Sequence, residues 1–289
     1  MKKDTSHMIR RAEHFKTILT GEGILVGLNA GLVVLLYRVL LEFAGKWMNL
    51  ILQYGRENPV IAGGWFLLLA VMACIVGKLV KWEPMISGSG IPQVEGEMMG
   101  KLTQRWWRIL PAKFLGGFLS LLAGLSLGRE GPSIQIGAMA GKAVSKVLDR
   151  GKTEEKYLLT CGASAGLAAA FHAPLAGVMF SLEEIHKNFS VSVLISVMTA
   201  SITADYISSQ FLGFHSVFQF DIAKEILPRY YGHIIVLGII LGLLGAFYNK
   251  MTMWVQSLYY KAKGLNETTR LLIPFLLAGI LGFLVPQVL

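Results

Sequence analysis

Residues 157–171 read YLLTCGASAGLAAAF, and this stretch decides the fold class. It is apolar, but shorter than the roughly 17 to 25 residues that cross a bilayer as a helix. Gly162 and Gly166 stand four apart among Ala and Ser, a spacing that lets helix backbones approach closely. Two further apolar pieces, Ile91 to Met99 and Pro174 to Ile185, are shorter still. Short apolar segments broken by Gly and Pro read as broken or re-entrant helices. In lipid, non-helical backbone persists only where protein covers it or water lines it, so the breaks point to an internal site.

Around these pieces lie longer apolar runs at about 22–52, 60–82, 108–127, 191–212, 231–260 and 269–287, each long enough to span. Of the 289 residues, 54% are hydrophobic and 16% charged, against about 25% charged in an ordinary soluble domain. Mean hydropathy is +0.55. These values exclude a soluble enzyme. The net charge of +9 would suggest nucleic acid in a soluble protein. Here the basic residues sit in short connections, as in cytoplasmic loops, and no nucleic-acid role is expected. Lys78, Lys81, Lys101, Arg105, Arg108 and Lys113 crowd one connection, while the loop at Arg56 is poor in them. That asymmetry matches an in–out–in hairpin, with residues 1–21 (Lys2, Lys3, Arg10, Arg11, Lys16) cytoplasmic. The connection from Tyr260 to Arg270 reads as inside too. The tryptophans fall mostly near run ends, as an aromatic belt does. Cys74 and Cys161 read as small core residues, and Gly238 and Gly242 as a close helix contact.

Three stretches carry candidate chemistry. Gly88-Ser89-Gly90-Ile91-Pro92 precedes a short apolar helix. Glycines leave amides uncovered, Pro92 suits a first helical turn, and Ser89 adds a hydroxyl donor. A bare helix N-terminus favours an anion; a tight turn capped by Ser89 is the plainer alternative. A dinucleotide fingerprint fails, because its third glycine position is Gln93. Gly128-Arg129-Glu130-Gly131-Pro132 places ionisable groups at membrane depth. The Glu130 carboxylate could occupy an anion's place and leave it on protonation; the alternatives are an Arg129–Glu130 pair or a helix-starting acid. Gly162 to Glu184 ends in Glu183-Glu184. Adjacent helical residues point about 100° apart, so one acid faces the protein as a proton relay, or both form a solvated interface. His172 and His186 read as packing residues rather than ligands, and Asp205 as a bond to a neighbouring helix.

In order and spacing, these three stretches resemble the signature segments of the family of chloride channels and proton-coupled chloride transporters. The resemblance implies a polytopic all-α membrane fold with tilted, partly spanning helices, built from two inverted repeats. It implies a homodimer, formed through 174–212, with one pore per subunit. It implies that residues 88–92 and 128–132 bind the anion, that Glu130 gates, and that Glu184, beside Glu183, transfers protons. It divides the chain into 1–21, a cytoplasmic segment; 22–212, the first membrane repeat with the anion loops; and 213–289, the start of the second. Localisation in the cell (inner) membrane follows, and chloride and protons are the transported ligands, with no cofactor.

The later half of the family supplies a second Gly-x-Phe-x-Pro loop and a tyrosine closing the inner end of the site. This chain, which ends at Leu289, contains neither. Tyr230, Tyr231, Tyr259 and Tyr260 stand in unsuitable contexts. The expectation is therefore the N-terminal half of a chloride/proton antiporter, unable to couple transport by itself and partnered by its missing C-terminal half. Glu184 favours exchange, since members that only conduct generally lack an acid there. A passive chloride channel and a non-transporting assembly half are the alternatives. No HExxH, nucleophile elbow or paired-Asp motif supports an enzyme.

Overall fold

The computed structural model describes residues 2–213, 227–262 and 266–285. Among the described residues there are helices and turns but no strand. Helix α1 (Lys2–Glu57) meets α2 (Pro59–Trp82) through a single residue, Asn58. Asn58 is extended, its Oδ1 accepts from Val60 N at 3.0 Å, and Pro59 fills the first turn. Those features start α2 without leaving orphan amides. Next come α3 (Ile91–Met98), α4 (Trp106–Leu122), α5 (Glu130–Val147), α6 (Lys152–Phe171) and α7 (Pro174–Phe180). A π-helical turn, Ser181–His186, follows α7, and then α8 (Val191–Leu212), α9 (Tyr231–Lys261) and α10 (Glu267–Leu284).

Among the described residues four helices are long and apolar enough to cross a membrane: Lys16–Glu57 within α1, α2, α8 and α9. Two runs read as spans are shorter. Residues 108–127 form α4, 17 residues ending at Leu122, because Gly124 adopts φ +86° and Leu125–Gly128 continues without helix. Residues 269–287 supply an apolar helix, Thr268–Leu284, below full length. Helices α3 and α7, with 8 and 7 residues, extend only about 10 to 12 Å. They cannot cross a hydrocarbon core of about 30 Å.

The stretch 157–171 lies inside α6, which begins a turn earlier with Lys152, Glu154, Glu155 and Lys156. From Leu158 to Ala170 every residue of α6 except Leu167 is buried. Its glycines meet glycines of α5. A Cβ on Gly162 would stand 2.9 Å from Gly137 C and 3.0 Å from Gly141 N; one on Gly166 would stand 3.2 Å from Gly137 Cα. A second stripe of the same kind joins α1 to α8. There Gly23, Gly27 and Gly31 abut Ser196, Ala200 and Ala204 at one-turn spacing. Van der Waals contact between backbones is the main attraction available to helices in lipid.

The α2–α10 contact is built from large side chains instead, with Trp65, Leu69, Met72 and Phe275 buried together. Trp65, 3% exposed, is thus a core residue rather than part of a belt. Cys161 is buried, but Cys74 is exposed on the outer face of α2 and is not a core residue. Helix α9 has no buried residue, and a Cβ on Gly238 or Gly242 would meet nothing within 4 Å. Among the described residues these two glycines therefore form no helix contact, because no other helix lies against that face.

Candidate anion site

The loop before α3 and the loop before α5 come together. Gly131, in the first turn of α5, lies so close to Ser89 that a Cβ there would stand 2.7 Å from Ser89 Cβ and 2.9 Å from Ser89 C. Gly90 has φ +98° and a Cβ on it would collide with the Gln135 side chain at 2.5 Å, so both steric demands select glycine. Neither helix start carries a side-chain N-cap bond. The nearest substitute is Ser89 Oγ, which accepts from Ile91 N at 3.4 Å.

The carbonyls of the first loop are engaged elsewhere. Lys113 Nζ donates to Ile86 O (2.8 Å) and Gly88 O (2.9 Å). Gln93 Nε2 donates to Ser87 O (2.8 Å), and Gln135 Nε2 to Met85 O (2.9 Å). Four successive negative dipole ends are thereby paired and do not stand free to oppose an anion. Beneath them runs a buried network. Gln135 Nε2 also donates to Gln104 Oε1 (2.7 Å), Gln104 Nε2 donates to Glu97 Oε2 (3.0 Å), and Lys142 Nζ pairs with Glu97 and donates to Gln104 O (2.6 Å).

The two loops border a cavity of about 630 Å³, walled also by Tyr37, Lys113, Arg270 and Phe275. Glu130, exposed at the start of α5, reaches this cavity. Arg129 does not. It borders a second cavity of about 230 Å³ with Arg38, Glu42 and Ser133, and Tyr37 and Leu127 border both spaces. No Arg129–Glu130 ion pair forms among the described residues, so that alternative drops out. The arrangement presents amide and hydroxyl donors, two cations and one carboxylate to a single cavity. An anion can be held there, and a protonated Glu130 would leave more room and less negative charge for it.

Sequence reasoning placed Lys113 and Arg270 in cytoplasmic connections, but Lys113 is 6% exposed within α4 and Arg270 faces the cavity from α10. A lysine inside an otherwise apolar run was the available signal for Lys113. Gln135, fully buried, gave none. Glu183 and Glu184 are both exposed in this chain and do not border the cavity. Their π-helical turn directs Ser181, Leu182 and Ile185 inward and leaves both acids outward, the solvated arrangement of the two read from the sequence.

The two histidines and Asp205 do pack between helices. His172 caps α6 in the left-handed conformation at φ +54°. Its Nε2 stands 3.1 Å from Arg38 Nη1 and its Nδ1 3.3 Å from Asp205 Oδ1, which ties α1, α6 and α8 together. An Arg38 donor at Nε2 assigns the imidazole proton to Nδ1, facing the carboxylate. His186 packs against Tyr157 with ring centroids 5.5 Å apart and the planes tilted by 40°, and its Nδ1 is 3.1 Å from Thr160 Oγ1.

Comparison with known proteins follows the same geometry. The model of a family described as voltage gated chloride channel matches residues 69–289. Among solved structures, a slow cyanobacterial Cl−/H+ antiporter is 31% identical with a TM-score of 0.82, over 92% of this chain and 63% of its own. A fluoride/proton antiporter of CLC type (22% identity, TM-score 0.75) is matched over 94% of this chain and 66% of its own. A eukaryotic CLC transporter (21%, TM-score 0.73) is matched over 93% of this chain and 50% of its own. The last two likenesses speak for the fold alone. The chain thus spans less than two thirds of each of these structures.

Proposed function

The chain belongs to the voltage-gated chloride channel family, and from that membership we propose that it forms the anion-path half of a membrane protein exchanging chloride for protons. The observation carrying this reading is the meeting of two uncapped helix starts, at Ser89 and Glu130, on one cavity of an apolar, multi-helix chain. Residues 88–92 and 128–132 supply the donors. Helix-terminal amides and the positive end of each helix replace part of the water an anion leaves behind.

Glu130 acts as the gate. Ionised, it repels an anion from the donors; protonated, it withdraws that repulsion, so anion entry and proton uptake become linked. Glu184, with Glu183 beside it, delivers protons from the opposite face. Its exposure in this chain supports a solvent-facing proton entry rather than a buried relay. The apolar outer faces of 174–212, where Leu175 is 70%, Met179 53% and Ile202 55% exposed, support a homodimer contact or a lipid-facing surface. The N-terminus is cytoplasmic and the cell membrane is the location in this reading.

Proteoliposomes test it. With the chain joined by the remaining half of the transporter, a chloride gradient is expected to drive proton movement, Glu184→Gln to abolish the proton component, and Glu130→Gln to uncouple the two; the chain alone is expected to show no coupled movement. Chloride flux without proton movement in the unaltered assembly of both halves replaces exchange by passive conduction. Absence of halide binding at Ser89 overturns both.

A further inference from the structure

We propose that the smaller cavity, bounded by Arg38, Arg129 and Ser133 across the Tyr37–Leu127 partition from Ser89, is a second halide-binding site. The inference takes from the preceding reading only that the ligand is a halide.

Three independent observations converge on this space of about 230 Å³. Charge comes first. Two guanidinium groups and one carboxylate, Glu42, border it. Arg38 Nε is 3.7 Å from Glu42 Oε1, beyond hydrogen-bond reach, and the atom is buried without a partner. Arg129 forms no ion pair among the described residues. The wall therefore carries one uncompensated positive charge, which suits a monovalent anion better than a dianion.

The second observation is Ser133. It is 2% exposed, borders the cavity, and its hydroxyl makes no hydrogen bond among the described residues. The hydroxyl of a serine on the cavity wall is left free to donate, and an anion in the cavity would accept its proton. The third is rigidity. Arg38 is held from behind by Ala169 O at 3.4 Å and His172 Nε2 at 3.1 Å. The fork is thus fixed before a ligand arrives, which lowers the ordering cost of binding. The volume accommodates a halide with several waters, each taking about 30 Å³ of liquid volume.

Arg129 and Glu130 are consecutive, yet they border different cavities. A halide released from Ser89 and Glu130 would find its next donors one residue back along the chain, beyond Tyr37 and Leu127.

The test uses the full chain in detergent, titrated calorimetrically with chloride, and its crystals soaked in bromide. Two anomalous bromide peaks are expected, one at Ser89 and one between Arg129 and Ser133. Arg129→Gln should remove the second peak, and Ser133→Ala, outside the donors of the first site, should weaken chloride at the second site several-fold with the first peak in place. Arg38 is spared because it also anchors His172. Bromide at Ser89 but not at Arg129 overturns this inference and leaves the proposed function standing. Bromide at Arg129 alone supports the inference and removes Ser89 from the anion path. A peak seen only in molar bromide, with no heat sensitive to Arg129→Gln, is an adventitious ion only and overturns the inference.

Discussion

The crossing of α5 and α6 makes a sharp test of backbone packing. In Gly162→Ala the new Cβ would stand 2.9 Å from Gly137 C and 3.0 Å from Gly141 N. Both are backbone atoms of a buried helix, so no side chain can swing aside. The Gly137 carbonyl oxygen is closer still, so restoring ordinary contact means parting the helices by about 1 Å, which forfeits about half of each contact well of about 0.1 to 0.2 kcal/mol. Over a few tens of atom pairs along the crossing the loss is about 1 to 3 kcal/mol, the usual range for overpacking. Alanine returns about 0.5 to 1 kcal/mol of helix propensity. The net destabilisation, about 1 to 2 kcal/mol, should lower Tm by several degrees at about 2 to 4 °C per kcal/mol. The assay is thermal unfolding of the full chain in detergent, followed by size-exclusion of the surviving monodisperse fraction. Gly238→Ala is the control: nothing lies within 4 Å of its Cβ position, so Tm should hold or rise slightly. If Gly162→Ala melts no lower than Gly238→Ala, the backbone-contact reasoning is refuted.

Gly90→Ala, with φ +98° and Gln135 in the way, should cost more stability than Gly88→Ala, with φ +71° and only Gln93 Nε2 at 3.9 Å; comparison of the two melting curves checks the order. Lys113→Met should weaken chloride binding about tenfold and lower Tm, because the carbonyls of Ile86 and Gly88 lose a charged donor, an interaction of about 1.5 to 3 kcal/mol. Lys142→Met strands the buried Glu97 and should destabilise by about 3 to 5 kcal/mol, whereas Lys142→Met with Glu97→Leu should recover much of it. Asp205→Asn should loosen the α8 end at His172; faster amide exchange near the α6 C-terminus is the expected sign, and unchanged exchange would remove Asp205 from that contact.

The sequence carried the membrane class and the broken helices openly, because composition and run length are local properties. Residues 88–92 and 128–132 were also legible, since Gly and Pro punctuate helix starts and each start points its donors the same way. That the two starts share a cavity was expected only from their closeness along the chain; the cause is Gly131 abutting Ser89, a contact across 42 positions that no local pattern encodes. Gly162 and Gly166 announced a tight crossing, but their partners Gly137 and Gly141 could be named only once α5 was placed. The same spacing at Gly238 and Gly242 announced a crossing that the described residues do not contain. A spacing rule reports the capacity for contact, not the neighbour. Lys113 and Arg270 misled because a basic residue near a run end looks alike whether it snorkels to a headgroup or turns into a cavity. For Glu183 and Glu184 the sequence left a relay and a solvated interface open; both acids are exposed, as the second alternative has it, on a π-helical turn whose angle between successive residues differs from that of an α-helix.

The glycine stripe of α1 poses a problem of registration. Gly23, Gly27 and Gly31 repeat every four residues, and so do Ser196, Ala200 and Ala204 facing them. If α1 slid by four residues, about 6 Å, two of the three small-to-small contacts would re-form, so smooth packing alone hardly distinguishes the two alignments. The polar contacts do. Such a slip would carry Glu22 away from Arg150, with which it pairs at 2.5 Å, and Arg38 away from His172 at 3.1 Å. Two polar latches near opposite ends of the stripe, one an ion pair and one a hydrogen bond, therefore select one alignment on an otherwise slippery track.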